Sequence, residues 1–96
     1  MATICKQRSI PRLTNYMEEL TDGILSDLLG SSKKRFSVDA IQDIKALALN
    51  RLWPMYTTSD IGKDFLKRIV VEDRIEKDVI RELKLAIDIV KANPRA

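Results

Sequence analysis

The stretch "VDAIQDIKALALNRL", residues 38–52, decides the fold. Ile44, Ala46, Leu47, Ala48 and Leu49 put apolar groups on nearly every side of a helix. A helix that is apolar all round is usually buried all round. The segment therefore reads as the central helix of an all-α domain, enclosed by neighbours or by a second copy of the chain. Ser37 stands where an N-cap belongs. At the other end Pro54 removes a donor and disfavours a helical Trp53.

Upstream of it, "SSKKRF" (31–36) reads as a polar, basic connector. Before that, Leu13, Met17, Leu20, Ile24 and Leu28 recur at three- and four-residue steps, one face of a first helix. Asn15 with Glu18 three residues later resembles a capping box. Ser9 competes as the cap, because proline is tolerated in a first turn. Gly30 is the expected stop, free to take a positive φ.

Downstream, Thr58, Ser59 and Asp60 are all good caps for "IGKDFLKRIVVEDRIEKDVIRELKLAIDIVKAN", residues 61–93. Ile61, Phe65, Ile69, Ile75, Val79, Leu83, Ile87 and Val90 form one long helical stripe. Gly62 costs a little helix propensity near its start. The β-branched run in "RIVVEDR" (68–74) marks a place to break, so one long helix or two nearly collinear ones are expected. By spacing, Asp73–Lys77 is an attractive pair and Asp78–Glu82 a repulsive one. Asn93 and Pro94 end the helix. A helix that outruns a small domain has apolar surface left over, and an intertwined homodimer would cover it. The expected organisation is a basic N-terminal arm, 1–12, and a single helical domain, 13–96.

Composition narrows the chemistry. The chain has 96 residues, a net charge of +3 and no histidine. Without histidine no nucleophile–His pair can form. Cys5 is the sole cysteine, so neither an intrachain disulfide nor a zinc site in the usual Cys and His ligands is expected. The three glycines are scattered and build no phosphate loop. Glu18, Glu19, Asp22 and Asp27 recur on the polar face of the first helix, where solvation explains them. The expectation is a non-enzyme with no cofactor and no metal. No long apolar run suggests a secretory signal or a membrane span, so a cytoplasmic location is expected.

Binding remains. "KQRSIPR" (6–12) offers Lys6, Arg8 and Arg12 as cations, with Ser9 and Gln7 as hydrogen-bonding groups. An arginine can donate two parallel hydrogen bonds to a phosphate or to a guanine edge, and can stack on a base. Pro11 limits the freedom lost on binding. A basic tail with no ligand is the plainer reading of the same residues. Lys33, Lys34 and Arg35 form a second basic cluster, read most simply as an exposed loop. Trp53 and Tyr56 flank Pro54; aromatics there can stack on bases, and more commonly close a core or an interface.

"NYMEELTDGILSDLL" followed by "DIKALALNRLWPMY" resembles the ComFB family of late competence proteins. The resemblance rests on Asn15, Met17 and Glu18, then Asp43, Ile44, Ala46, Leu47, Leu49 and Asn50, then Pro54 and Tyr56. It covers residues 13 to 60. Some members carry a cysteine cluster before the second helix and look like zinc binders; here that stretch is "KKRFSVDAIQD", so zinc is not carried over. The resemblance implies a small helical homodimer without catalytic activity. Cyanobacterial relatives look like receptors for cyclic dinucleotides, c-di-GMP and in some cases c-di-AMP. Arg8 and Arg12 also resemble the R-x-x-x-R motif of PilZ-type c-di-GMP receptors. On this resemblance the expected ligand site is Lys6, Gln7, Arg8, Ser9, Arg12 and Asn15, and an unidentified downstream protein would read the bound state. A ligand-free dimeric adaptor and a nucleic-acid accessory in DNA uptake stand as alternatives. Whether Asp43, Asn50, Trp53 and Tyr56 are structural or touch ligand stays open.

Overall fold

The structure, a computed structural model, describes residues 13–93. It is all-α apart from one short strand pair. The order is β1 (Thr14–Asn15), α1 (Tyr16–Leu29), a 3₁₀ segment (Gly30–Arg35), α2 (Val38–Leu49), β2 (Tyr56–Thr57), α3 (Asp60–Glu72) and α4 (Ile75–Ala92). The arm residues 1–12 lie outside the described residues, and Ser9 as an alternative cap lies there with them.

Asn15 is the cap of α1: its side chain accepts from the Met17 N–H at 3.1 Å. The buried line of α1 is Met17, Thr21, Leu25 and Leu29, with Leu20, Ile24 and Leu28 half-buried beside it. The apolar stripe expected from Leu13 is thus turned by part of a turn. Leu13 precedes the helix and stays 64% exposed. Thr21, polar in sequence, lies in the middle of the buried line. Gly30 ends α1 at φ 52°, ψ −129°, a region in which a Cβ is strained.

Ser37 caps α2, its hydroxyl accepting from the Ala40 N–H at 3.0 Å. Ile44 and Ala48 are fully buried, but Ala46 and Leu47 face outward. Within one chain, then, α2 is not enclosed on every side, as its composition suggested. It also stops at Leu49, with Asn50 as C-cap, three residues short of the expected end. The helix at the centre is α4, which packs against α1, α2 and α3. Val79, Leu83, Ala86 and Val90 carry its buried face.

The C-terminal stripe forms two helices, α3 and α4. The break is at Asp73–Arg74, where Arg74 adopts the left-handed conformation at φ 55°, ψ 40°. A helix cannot run through such a residue. The front of the stripe stays outside the core: Ile61 is 83% and Phe65 55% exposed. The Arg68 guanidinium lies over the Phe65 ring, 5.8 Å from its centroid. The expected Asp73–Lys77 pair does not form among the described residues, because Asp73 sits in the turn and helical spacing does not apply there. Asp78 and Glu82 are reconciled by Arg81, at 3.0 Å from Asp78 and 3.7 Å from Glu82. Glu82 is buried and also accepts from Arg51 Nε at 2.8 Å, which ties the turn after α2 to α4.

Gly62 has a use beyond propensity. A Cβ there would collide with the Thr57 hydroxyl, which in turn bonds the backbone of Ser59. The bare glycine lets α3 start directly beneath β2.

Candidate functional site

Of the expected ligand residues, Lys6, Gln7, Arg8, Ser9 and Arg12 lie outside the described residues. Asn15 is described, and so is the surface around it. Residue 13 begins that surface, and it is firmly built. Thr14 pairs with Thr57 and Asn15 with Tyr56 in an antiparallel register. The Tyr16 N–H donates to the Met55 carbonyl at 2.6 Å. The Met55 N–H donates to Asn15 Oδ1 at 2.7 Å. Asn15 Oδ1 therefore accepts two backbone donors, and its Nδ2 amide is the group it has left to offer a ligand.

Beside this root is an open groove of about 440 Å³, lined by Leu13, Thr14, Asn15, Glu18, Glu19, Asp22 and Tyr56. Tyr56 is 60% exposed. Two of the carboxylates are neutralised: Glu19 by Lys63 at 3.2 Å and Asp22 by Lys45 at 2.7 Å. Glu18 has no partner among the described residues. A second groove of the same volume continues along α1, lined by Tyr16, Glu19, Leu20, Gly23, Ile24, Asp27 and Lys67. Burial, and after it the Glu19 carboxylate, pushes the Tyr16 phenol above its ordinary pKa. That keeps it a hydrogen-bond donor.

The second basic cluster, Lys33, Lys34 and Arg35, is exposed on the 3₁₀ segment. Arg35 joins Phe36, Ser37, Ala40, Asp43, Val90 and Lys91 around a cavity of about 320 Å³, between the start of α2 and the end of α4. Trp53 is 86% exposed, so it closes no core within the chain. Asn50 works in the backbone, its N–H donating to the Ala46 carbonyl at 3.0 Å while the following Arg51 N–H donates to Ala48. No group of three or more His, Cys, Asp or Glu among the described residues is placed to hold a metal ion. No described helix is long and apolar enough to cross a membrane.

Sequence reasoning named Tyr56 as an open question and assigned Glu18 to capping. It did not place the two around one groove. The only signal available was Asn15, shared by the capping pattern and the family pattern.

These features define a class: a small all-α domain with an open polar and aromatic groove beside the start of its first helix. The chain belongs to the family described as late competence development protein ComFB, whose family model matches residues 14–94. The match runs through α3 and α4, well past residue 60. A comparison with curated proteins gives no match.

Proposed function

We propose that this chain is a cytoplasmic, non-catalytic receptor for a cyclic dinucleotide, c-di-GMP before c-di-AMP, acting as a homodimer that signals through contacts with a downstream protein. The observation that carries the reading is a basic, hydrogen-bonding stretch of sequence, residues 6–12, in a member of the ComFB family. Arg8 and Arg12 hold phosphates or guanine edges, and Lys6, Gln7 and Ser9 add hydrogen bonds. Asn15 contributes through its amide. The exposed Ile61 and Phe65 of α3 supply apolar surface for a second copy.

Isothermal titration with c-di-GMP, c-di-AMP and linear GMP tests the reading. Saturable heat with a cyclic dinucleotide supports it, and Arg8→Ala with Arg12→Ala removes that heat. Unchanged affinity in the double variant sinks the arm as the site. Light scattering on the eluting protein tests the dimer, which Phe65→Glu is expected to weaken.

Lys33, Lys34 and Arg35 form no ion pair among the described residues, and this favours a second reading, a nucleic-acid accessory. Retardation of DNA that falls steeply with salt would support it. No retardation at low salt removes it.

A further inference from the structure

We propose that the outward face of α3 is an interface for a second copy of this chain, on which the two α3 helices pack antiparallel about a two-fold axis; this rests on the homodimer of the reading above and gives its contact surface. One side of α3 turns inward, with Val70 buried and Leu66 and Ile69 half-buried against the core. On the other side Ile61, Phe65 and Val71 are left 83%, 55% and 76% exposed. Ile61, Asp64, Arg68 and Val71 follow one another at steps of three, four and three residues, the spacing of a coiled-coil seam. Phe65 flanks that seam. No other element among the described residues covers it.

The charges on the seam choose the occupant. In an antiparallel pair one end of the seam meets the other end of its copy. Asp64 of each chain then faces Arg68 of the other, and Ile61 faces Val71. Two opposite-charge contacts lie at the middle, with an apolar contact beyond each of them. In a parallel pair Asp64 would meet Asp64, and Arg68 would meet Arg68. A face complementary to itself after a half-turn is what a two-fold interface requires. Asp64 and Arg68 form no ion pair among the described residues, although their spacing on the helix permits one. The stacking of Arg68 over the Phe65 ring, 5.8 Å from its centroid, keeps the guanidinium beside the seam. Lys67 is exposed at the rim, where solvent screens the like charges of the two copies. A helix of 13 residues makes a short seam, of about 20 Å. The dimer is therefore expected to dissociate at micromolar protein.

The test is sedimentation equilibrium over a range of micromolar concentrations. The samples are the parent, Asp64→Arg, Arg68→Asp, the double variant, and an equimolar mixture of the two single variants. Thermal melts by circular dichroism establish that each is folded. The parent is expected to dimerise. Either single variant sets like charges against each other at both crossings and should weaken the dimer by about tenfold or more. The double variant and the mixture restore opposite charges at both crossings, and both should regain the dimer. A dimeric parent whose single variants associate as tightly as it does overturns this inference and leaves the homodimer reading intact. Weakened single variants with no recovery in the mixture overturn it as well. A parent that stays monomeric at every concentration overturns both.

Discussion

Asn15 Oδ1 accepts the Met55 N–H at 2.7 Å while also accepting the Met17 N–H at 3.1 Å. One side-chain atom therefore caps α1 and fastens the loop before β2 to it. The Met55 carbonyl completes the clasp by accepting from the Tyr16 N–H. Asn15→Ala leaves two backbone donors without a partner. The expected loss is about 2 kcal/mol, more than an ordinary cap deletion. Chemical denaturation measures it. Asn15→Asp keeps the acceptor and should recover most of the loss, so a variant as unstable as the alanine one would contradict the clasp.

Thr21 is fully buried in the apolar line of α1, and its hydroxyl has no hydrogen-bond partner among the described residues. Valine has nearly the same shape without the unpaired hydroxyl. Thr21→Val is expected to stabilise the fold by about 1 kcal/mol. A raised melting temperature with an unchanged circular dichroism spectrum is the outcome to look for. A destabilised variant would mean that the hydroxyl is satisfied.

Gly62→Ala should destabilise, although alanine is the better helix former. The added Cβ meets the Thr57 hydroxyl. Overpacking of this kind costs about 1–3 kcal/mol. Combining it with Thr57→Ala should return much of that. A double-mutant cycle with no coupling would show that the two residues do not clash.

Tyr16 gives stability a dependence on alkaline pH. Its folded-state pKa is raised above the ordinary 10.0, first by desolvation and then by Glu19. Below that value both the folded and unfolded states keep the proton, and the stability is fully present. As pH rises past it the unfolded phenol ionises first, and stability is lost on the way through the folded pKa. Tyr16→Phe removes this component. Its denaturation midpoint should fall less between pH 9 and 11 than the parent's, about as far apart as one half-buried phenol allows. Equal slopes would contradict the shift.

Much of the secondary structure was legible because its causes are local. Ser37, Asn15 and Ser59 cap the helices they precede, since a cap needs only its own first turn. Val79, Leu83 and Val90 announced the buried face of α4 by spacing. The candidate site was only partly legible. The cations proposed for it lie in residues 6–12, outside the described residues, and the groove needs β1, α1 and β2 in one place.

The sequence by itself determined that the chain is helical, where most helices begin, and that nothing in it builds a histidine-based site. Tertiary structure alone decided how those helices are used. Hydrophobic spacing says that a face wants cover and not which neighbour supplies it. So α4 became the centre, α2 kept Leu47 outside, and Ile61 and Phe65 stayed exposed. The break at Arg74 depends on a left-handed backbone that its residue type does not favour. Contacts between distant residues decide the rest: Asn15 on Met55, Thr57 over Gly62, Arg51 on Glu82. Each joins residues whose meeting depends on the packing of the whole chain, and no local pattern encodes that.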